Sequence, residues 1–338
     1  MIKKLLIANR GEIAVRIIRA CAESDITSVA IYTDADRHAL HVEKANEAYN
    51  IGPESVAGYL NAHRIVNLAV ATHCDALHPG YGFLSENPLL PEICRARGIR
   101  YVGPDAAVIR KMGDKVEARG AMQAAGIPVV PGSDGSLKDL DEARTLAATI
   151  GYPVMLKATT GGGGRGIRRC NSAADLEKNY QRVISEASKA FGSADIFLEK
   201  CIDRPRHIEV QILADTHGNT VHLFERDCSI QRRHQKLIEI APSPQLNDAQ
   251  REWLGETAIR AAQAVNYINA GTVEFLLDAG GNFYFMEMNT RLQVEHTITE
   301  AITGIDIVRE QLRITDGQPL SYSQRDIQRR GYAMELRI

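Results

Sequence analysis

Gly271-Thr-Val-Glu-Phe-Leu-Leu-Asp-Ala-Gly-Gly-Asn-Phe-Tyr-Phe-Met-Glu-Met-Asn289 reads as strand, turn, strand. A two-residue loop at Gly280-Gly281 suits the positive-φ turns that join antiparallel strands. That loop pairs Ala279 with Asn282 and, counting outward, Glu274 with Glu287. Directly opposed Cβ atoms lie about 4.5–5.5 Å apart, and like charges there are destabilising. At an effective dielectric near 20, two unit charges ~5 Å apart repel by about 3 kcal/mol. A divalent cation removes that penalty, and one or two carboxylates completed by phosphate oxygens is the usual way to hold Mg²⁺. Alternation puts Asn289 on the face of Glu287, where it adds an oxygen ligand. The competing reading is a solvated pair of glutamates in a shifted register.

Outward from this hairpin the chain changes character. Arg206–Leu213 alternates, with His207, Glu209 and Gln211 on one side and Ile208, Val210 and Ile212 on the other. The helix expected over Asp248–Val265 buries Leu254, Ala258, Ala261 and Val265, and the single tryptophan, Trp253, reads as core packing. A smaller α/β unit is expected from about 131 to 203, with strands near Val154–Ala158, Gly166–Cys170 and Ile196–Lys200. Residues 1 to about 103 alternate strand (Leu5–Ala8, Ser28–Tyr32, Ala76–His78, Arg100–Val102) with helix (Glu12–Cys21), the pattern of a doubly wound parallel sheet. The first turn, Asn9-Arg10-Gly11, is not GxGxxG, which disfavours a dinucleotide site. At the other end, Tyr332, Met334, Leu336 and Ile338 alternate with polar residues, so the chain stops inside an apparent strand and reads as an excised fragment.

With 338 residues and 44% hydrophobic content the chain is long enough for two or three domains with sizeable cores. A net charge of −2 argues against a general nucleic-acid or membrane binder. The six cysteines have no metal-like spacing and read as reduced thiols of a cytoplasmic protein. No apolar run approaches the ~20 residues of a membrane helix.

Four further stretches carry chemistry. Lys157-Ala-Thr-Thr-Gly-Gly-Gly-Gly-Arg-Gly166 places a lysine at a strand end before a glycine loop able to surround a phosphate or move as a lid. It lacks the Lys-Ser/Thr of a P-loop. Glu225-Arg-Asp-Cys-Ser-Ile-Gln-Arg-Arg-His-Gln-Lys236 suggests an anion site, with a solvated basic face as the alternative. Asn289-Thr-Arg-Leu-Gln-Val-Glu-His296 brings Arg291, Glu295 and His296 close to any metal–phosphate group on the hairpin. A guanidinium beside a carboxylate there either holds and deprotonates a small oxyanion or forms a structural salt bridge. His78-Pro-Gly-Tyr-Gly-Phe-Leu-Ser-Glu-Asn87 is a glycine-rich loop at a strand's C-terminal end, either a ligand contact or a shaped turn.

Together these segments, with Ile7–Ala14 and Met112-Gly-Asp-Lys115, resemble the biotin carboxylase family within the ATP-grasp superfamily. They follow the family's order over nearly the whole chain. The resemblance implies a Rossmann-like domain over 1–113, an ATP-grasp domain over 114–330 with a mobile lid near 131–203, and the start of a C-terminal domain at 331–338. It implies that Lys115 and Lys157 hold ATP phosphates, with Gly163 and Gly164 in the lid. Glu199, Lys200, Cys201 and Ile202 match the adenine hinge; His207, Gln231 and His234 match ribose and nearby nucleotide contacts. Glu274, Glu287 and Asn289 match ligands of Mg²⁺ (or Mn²⁺). Lys236, Arg291, Gln293 and Val294 match a bicarbonate pocket, Glu295 the base that deprotonates bicarbonate, and Arg337 the arginine that stabilises the biotin enolate. The implied activity is ATP- and bicarbonate-dependent carboxylation of biotin through carboxyphosphate. The biotin arrives on a carrier protein or domain, in a complex with a carboxyltransferase subunit, and the full-length form is a homodimer. Ile240 and Thr297 depart from the family pattern, which has a glutamate in Lys-x-x-Glu-Glu-Ala-Pro and a proline at these places. Two other outcomes stay open at this point: another ATP-grasp ligase using an acyl phosphate, and an ATP-binding fragment without full turnover.

Overall fold

Five short strands near the N-terminus form a parallel sheet: β1 (Lys4–Ile7), β2 (Thr27–Tyr32), β3 (Glu47–Asn50), β4 (Ala76–His78) and β5 (Arg100–Tyr101), in the order β3-β2-β1-β4-β5. This computed structural model describes the chain except residues 54, 55, 160–165, 193 and 234 and the side chains of 190 and 191. Successive residues of β1 serve different cores: Leu5 and Ile7 pack with Ile13 and Ile17 on one side, Leu6 with Val29, Ile65 and Leu90 on the other. Helices on both faces explain why these strands are apolar throughout. β3 was not expected, because Glu47-Ala-Tyr-Asn is a half-exposed edge strand with no apolar period. The winding reverses between β1 and β4, so the loops that follow them meet. Asn9 Nδ2 donates to the carbonyls of Pro79 (2.7 Å) and Tyr81 (2.8 Å). Gly80 sits between them at φ +65°, where a Cβ would approach Asn9 Nδ2 to 2.9 Å.

Strands β6 (Val154–Ala158), β7 (Ile167–Cys170) and β8 (Ile196–Lys200) form a small antiparallel sheet in the order β7-β6-β8. Val154, Leu156 and Leu198 bury one face with residues of the helices Leu140–Ile150 and Ala173–Phe191. The opposite face carries Lys157 and Glu199.

The third sheet is antiparallel and holds β9 (Arg206–Ala214), β10 (Thr220–Arg232), β11 (Gln235–Ala241), β12 (Asn269–Leu277), β13 (Phe283–Asn289) and β14 (Ala333–Leu336). Their order is β13-β12-β9-β10-β11-β14. Ile208, Val210, Val273 and Phe275 pack against Leu254, Ala258 and Ala261 of the helix Asp248–Ala264. Trp253, expected in the core, is 37% exposed on that helix and stacks on Phe283 with ring centroids 5.6 Å apart. The other face carries Glu209, Gln211, Arg226, Thr272 and Glu274, and it too is buried.

The β12–β13 hairpin places Glu274 opposite Glu287, as expected, but by a different route. Leu277 pairs with Phe283, so three residues, not two, lie between Asp278 and Asn282, whose ends are closed by Asp278 N–H donating to Asn282 O at 3.0 Å. Phe275 pairs with Phe285 and Glu274 with Glu287, so Met286 is the extra residue of a bulge that restores the register. β14 pairs with β11 through its backbone, while Tyr332, Met334 and Leu336 point their side chains outward.

Candidate active site

The polar end of the six-stranded sheet and the small sheet face each other across a cleft of about 890 Å³. Lys115, Lys157, Glu199, His207, Gln231, Lys236, Glu274, Glu287, Asn289, Arg291, Gln293, Val294, Glu295 and Arg337 all line it. Lys200, Cys201 and Ile202 are not among the lining residues. Lys200 Nζ donates to the carbonyls of Gly151 (2.9 Å) and Tyr152 (3.1 Å), and the Cys201 N–H to Pro153 O at 3.0 Å. Gly163, Gly164 and His234 lie outside the described residues.

Glu274 is the centre of the site. Its Oε1 accepts from Lys236 Nζ (3.0 Å), Asn289 Nδ2 (2.8 Å) and Gln293 Nε2 (2.8 Å), and its Oε2 lies 2.5 Å from His207 Nε2. Burial alone would raise the carboxyl pKa; Lys236 and His207 reverse this and hold it well below the usual range. The Lys236 ammonium also reaches Glu209 Oε2 (2.5 Å) and Glu295 Oε1 (2.7 Å). Burial opposes its charge, yet Glu209, Glu274 and Glu295 raise its pKa far above that of a free lysine. Beneath it, the completely buried Arg226 donates from Nε to Glu209 (2.5 Å) and from Nη2 to Gln293 Oε1 (2.8 Å). The expected repulsion between Glu274 and Glu287 is therefore met by cations on each partner, since Lys115 Nζ lies 3.4 Å from Glu287 Oε2.

Two facing carboxylates, one of them 40% exposed, fit a divalent cation. Asn289 needs to turn to take part. Its amide nitrogen faces Glu274, and its oxygen accepts from Arg291 Nη2 at 2.9 Å. Arg291 also donates from Nε to Glu86 Oε2 (2.8 Å), so the loop after β4 holds a side chain of the cleft wall from behind. Lys157 is ion-paired with Glu199. Glu295 sits between Lys236 and Arg337, whose Nη2 donates to Glu295 Oε2 at 2.9 Å.

The basic run 225–236 is not one anion site. Arg226 is inside the sheet, Lys236 enters the cleft, and Arg232 and Arg233 are exposed. Sequence reasoning missed Glu209, Arg226 and Glu86. Glu209 belongs to an alternating polar face that was visible; nothing local in the sequence distinguishes Arg226 or ties Glu86 to a partner 205 residues away.

Residues 1–109 match the family model described as biotin carboxylase, N-terminal domain, and residues 114–323 that described as carbamoyl-phosphate synthase L chain, ATP binding domain. Biotin carboxylase 2 of Bacillus subtilis is 55% identical over 339 residues, covering 100% of this chain and 76% of that protein. The chain belongs to the biotin carboxylase family. A second family member, the 2-oxoglutarate carboxylase small subunit of Hydrogenobacter thermophilus, is 55% identical over 338 residues, 100% of this chain and 72% of that protein. The crystal structure of the biotin carboxylase domain dimer of that organism's 2-oxoglutarate carboxylase, in complex with MgADP, ADP and bicarbonate, superposes with a TM-score of 0.96 at 55% identity. It covers 100% of this chain and 74% of that one. The three sheets described above are thus those of a biotin carboxylase: a parallel N-terminal sheet followed by an ATP-grasp unit. Among the described residues, no helix is long and apolar enough to cross a membrane.

Proposed function

We propose that this chain catalyses the ATP- and bicarbonate-dependent carboxylation of biotin, the first half-reaction of a biotin-dependent carboxylase. The observation that carries the residue assignments is the meeting of three groups in one cleft: the Glu274–Glu287 pair, the lysines Lys115 and Lys157, and the Lys236–Glu295–Arg337 cluster. Lys115 and Lys157 bind the ATP phosphates, and Gly163 and Gly164 are assigned to the lid. The adenine is assigned to the stretch Glu199 to Ile202, of which Glu199 lines the cleft, and the ribose to His207, Gln231 and His234. Glu274, Glu287 and Asn289 hold Mg²⁺ (or Mn²⁺), which when bound neutralises phosphate charge.

Lys236, Arg291, Gln293 and Val294 seat bicarbonate beside Glu295. Glu295 accepts the bicarbonate proton, the freed oxygen bonds to the γ-phosphorus, and the bond to ADP breaks. Carboxyphosphate then splits into CO₂ and phosphate. The phosphate takes the ureido N–H proton of biotin, Arg337 steadies the enolate oxygen by charge, and the nitrogen bonds to CO₂. A closed cleft keeps water from the intermediate. The biotin is carried on a separate carrier protein or domain, a carboxyltransferase subunit uses the product, and the working form is a homodimer. The sequence-derived division at about 113 and 330, with a lid over 131–203, belongs to the same proposal. The test is ADP release with and without bicarbonate and free biotin. Release that rises with both supports the assignment; release indifferent to bicarbonate overturns it.

A further inference from the structure

Glu239 lies in β11 and is completely buried. Neither of its carboxylate oxygens has a hydrogen-bond donor among the described residues. Among the described residues, the cation at ion-pair distance is Arg337, whose Nε is 2.8 Å from Oε1 but out of line for a hydrogen bond. Directly across the ladder stands Glu335 of β14. A buried carboxylate without donors is costly, and opposed glutamates repel.

The surroundings show how this is tolerated. Thr297, the residue that replaces the family's proline, donates from Oγ1 to Glu335 Oε2 at 2.9 Å and draws that carboxylate toward the start of the helix His296–Thr303. The backbone N–H of Arg337 donates to Leu237 O at 2.9 Å, fixing the arginine to β11. Burial pushes the Glu239 carboxyl up, Arg337 and Lys236 pull it down, and Glu295 and Glu335 push it up again, which leaves it raised to about 7. The phenol of Tyr81, from the loop after β4, also lies in the field of Glu335 and Arg337.

Arg337 is therefore shared. Its Nη2 donates to Glu295 in the cleft, while its Nε faces Glu239 behind the cleft wall. Glu239 is not among the residues lining the cleft, so it acts on substrate through its neighbours, and of the cleft residues Arg337 is the one at ion-pair distance from it. We propose that Glu239 is a positioning residue that grips the Nε edge of Arg337 and so presents the Nη corner to the cleft, to Glu295 first and then to the oxygen of bound biotin. This rests on the assignment of Arg337 to biotin made above.

The first test is independent of turnover. In ¹⁵N-arginine-labelled protein, the Arg337 Nε resonance, assigned with Arg337→Lys, is expected to move with pH through neutrality and to stand still in Glu239→Gln. The second is kinetic. Glu239→Gln is expected to lower kcat/KM for free biotin several-fold while leaving KM for MgATP unchanged, and Glu239→Asp to restore part of the loss. On an Arg337→Ala background, Glu239→Gln is expected to add nothing, because the two act as a unit. A pH-invariant Arg337 Nε signal in the unsubstituted chain overturns the proposal, as do losses that multiply or a loss of MgATP affinity matching that for biotin. If the unsubstituted chain releases no ADP in response to bicarbonate, the functional assignment fails instead, and the resonance measurement still decides the role of Glu239.

Discussion

Glu274 and Glu239 are buried glutamates of the same sheet, and they end in opposite states. Glu274 receives hydrogen bonds from Lys236, Asn289, Gln293 and His207 and is held ionised. Glu239 has, among the described residues, an off-line Arg337 and no hydrogen-bond donor, and it is pushed up to about 7. Burial is common to both, so it is the neighbouring charges, and after them the aligned donors, that set the charge of each: Lys236 and His207 at Glu274, against Glu295 and Glu335 beside Arg337 at Glu239. The polar face of β9, β12 and β10 is a place where charge is stored; the neighbourhood of β11 and β14 is one where charge is marginal.

The contrast can be broken most forcefully at Lys236. Lys236→Met leaves Glu209, Glu274 and Glu295 without their shared cation. A loss of about 3–5 kcal/mol is expected, read as a lowered urea midpoint, with partial recovery at acid pH as the carboxylates take up protons. An unchanged midpoint means that the ammonium does not neutralise the cluster. Next in size is Glu295→Gln. It keeps the shape of the cleft and is expected to cut bicarbonate-dependent ADP release by about 10²–10⁴-fold with little change in ATP affinity, which calorimetric titration checks.

Glu274→Gln should weaken MgADP binding about tenfold while metal-free ADP binding stays nearly constant; equal losses in the two titrations argue against a metal site on the hairpin. The smallest effect belongs to Glu239→Gln. The folded-state pKa near 7 lies above the unfolded value of 4.5, so the native chain keeps a proton that the unfolded chain has lost between those limits. Stability from this group therefore falls as pH rises through that window and stays low above it. The variant is expected to gain about 2–4 °C in Tm over the unsubstituted chain between pH 5 and pH 8. A constant difference across that range means that Glu239 does not titrate on folding.

Much of the architecture could be read locally. The strands β1, β2, β4 and β5 lie within a residue or so of their expected bounds, because apolar runs bounded by helical periods leave few alternatives. The edge strand β3 has no such run and was invisible. The facing of Glu274 and Glu287 was anticipated although the turn was not: the longer loop and the bulge at Met286 each shift the register by one, and the shifts cancel. What local reading cannot supply is the burial of a polar face. His207, Glu209 and Gln211 look like a solvent-facing row until β10 and β11 bring Arg226 and Lys236 over them, through pairings broken by further irregularities. The orientation of Asn289 has the same origin at one remove: Arg291, two residues on, takes the oxygen that the strand pattern offers to a metal, and Arg291 is itself held by the distant Glu86.

One apolar cluster has a practical consequence. Leu5, Ile17 and Ile26 of the first unit share it with Leu213, Leu223, Ala270 and Ile307 of the second. Anyone trimming the chain near residue 113 to express the nucleotide-binding half alone is cutting through a common keel. Both pieces would then carry greasy, water-facing scars, prone to clumping, and the half bearing Arg291 would also lose its counter-ion from Glu86.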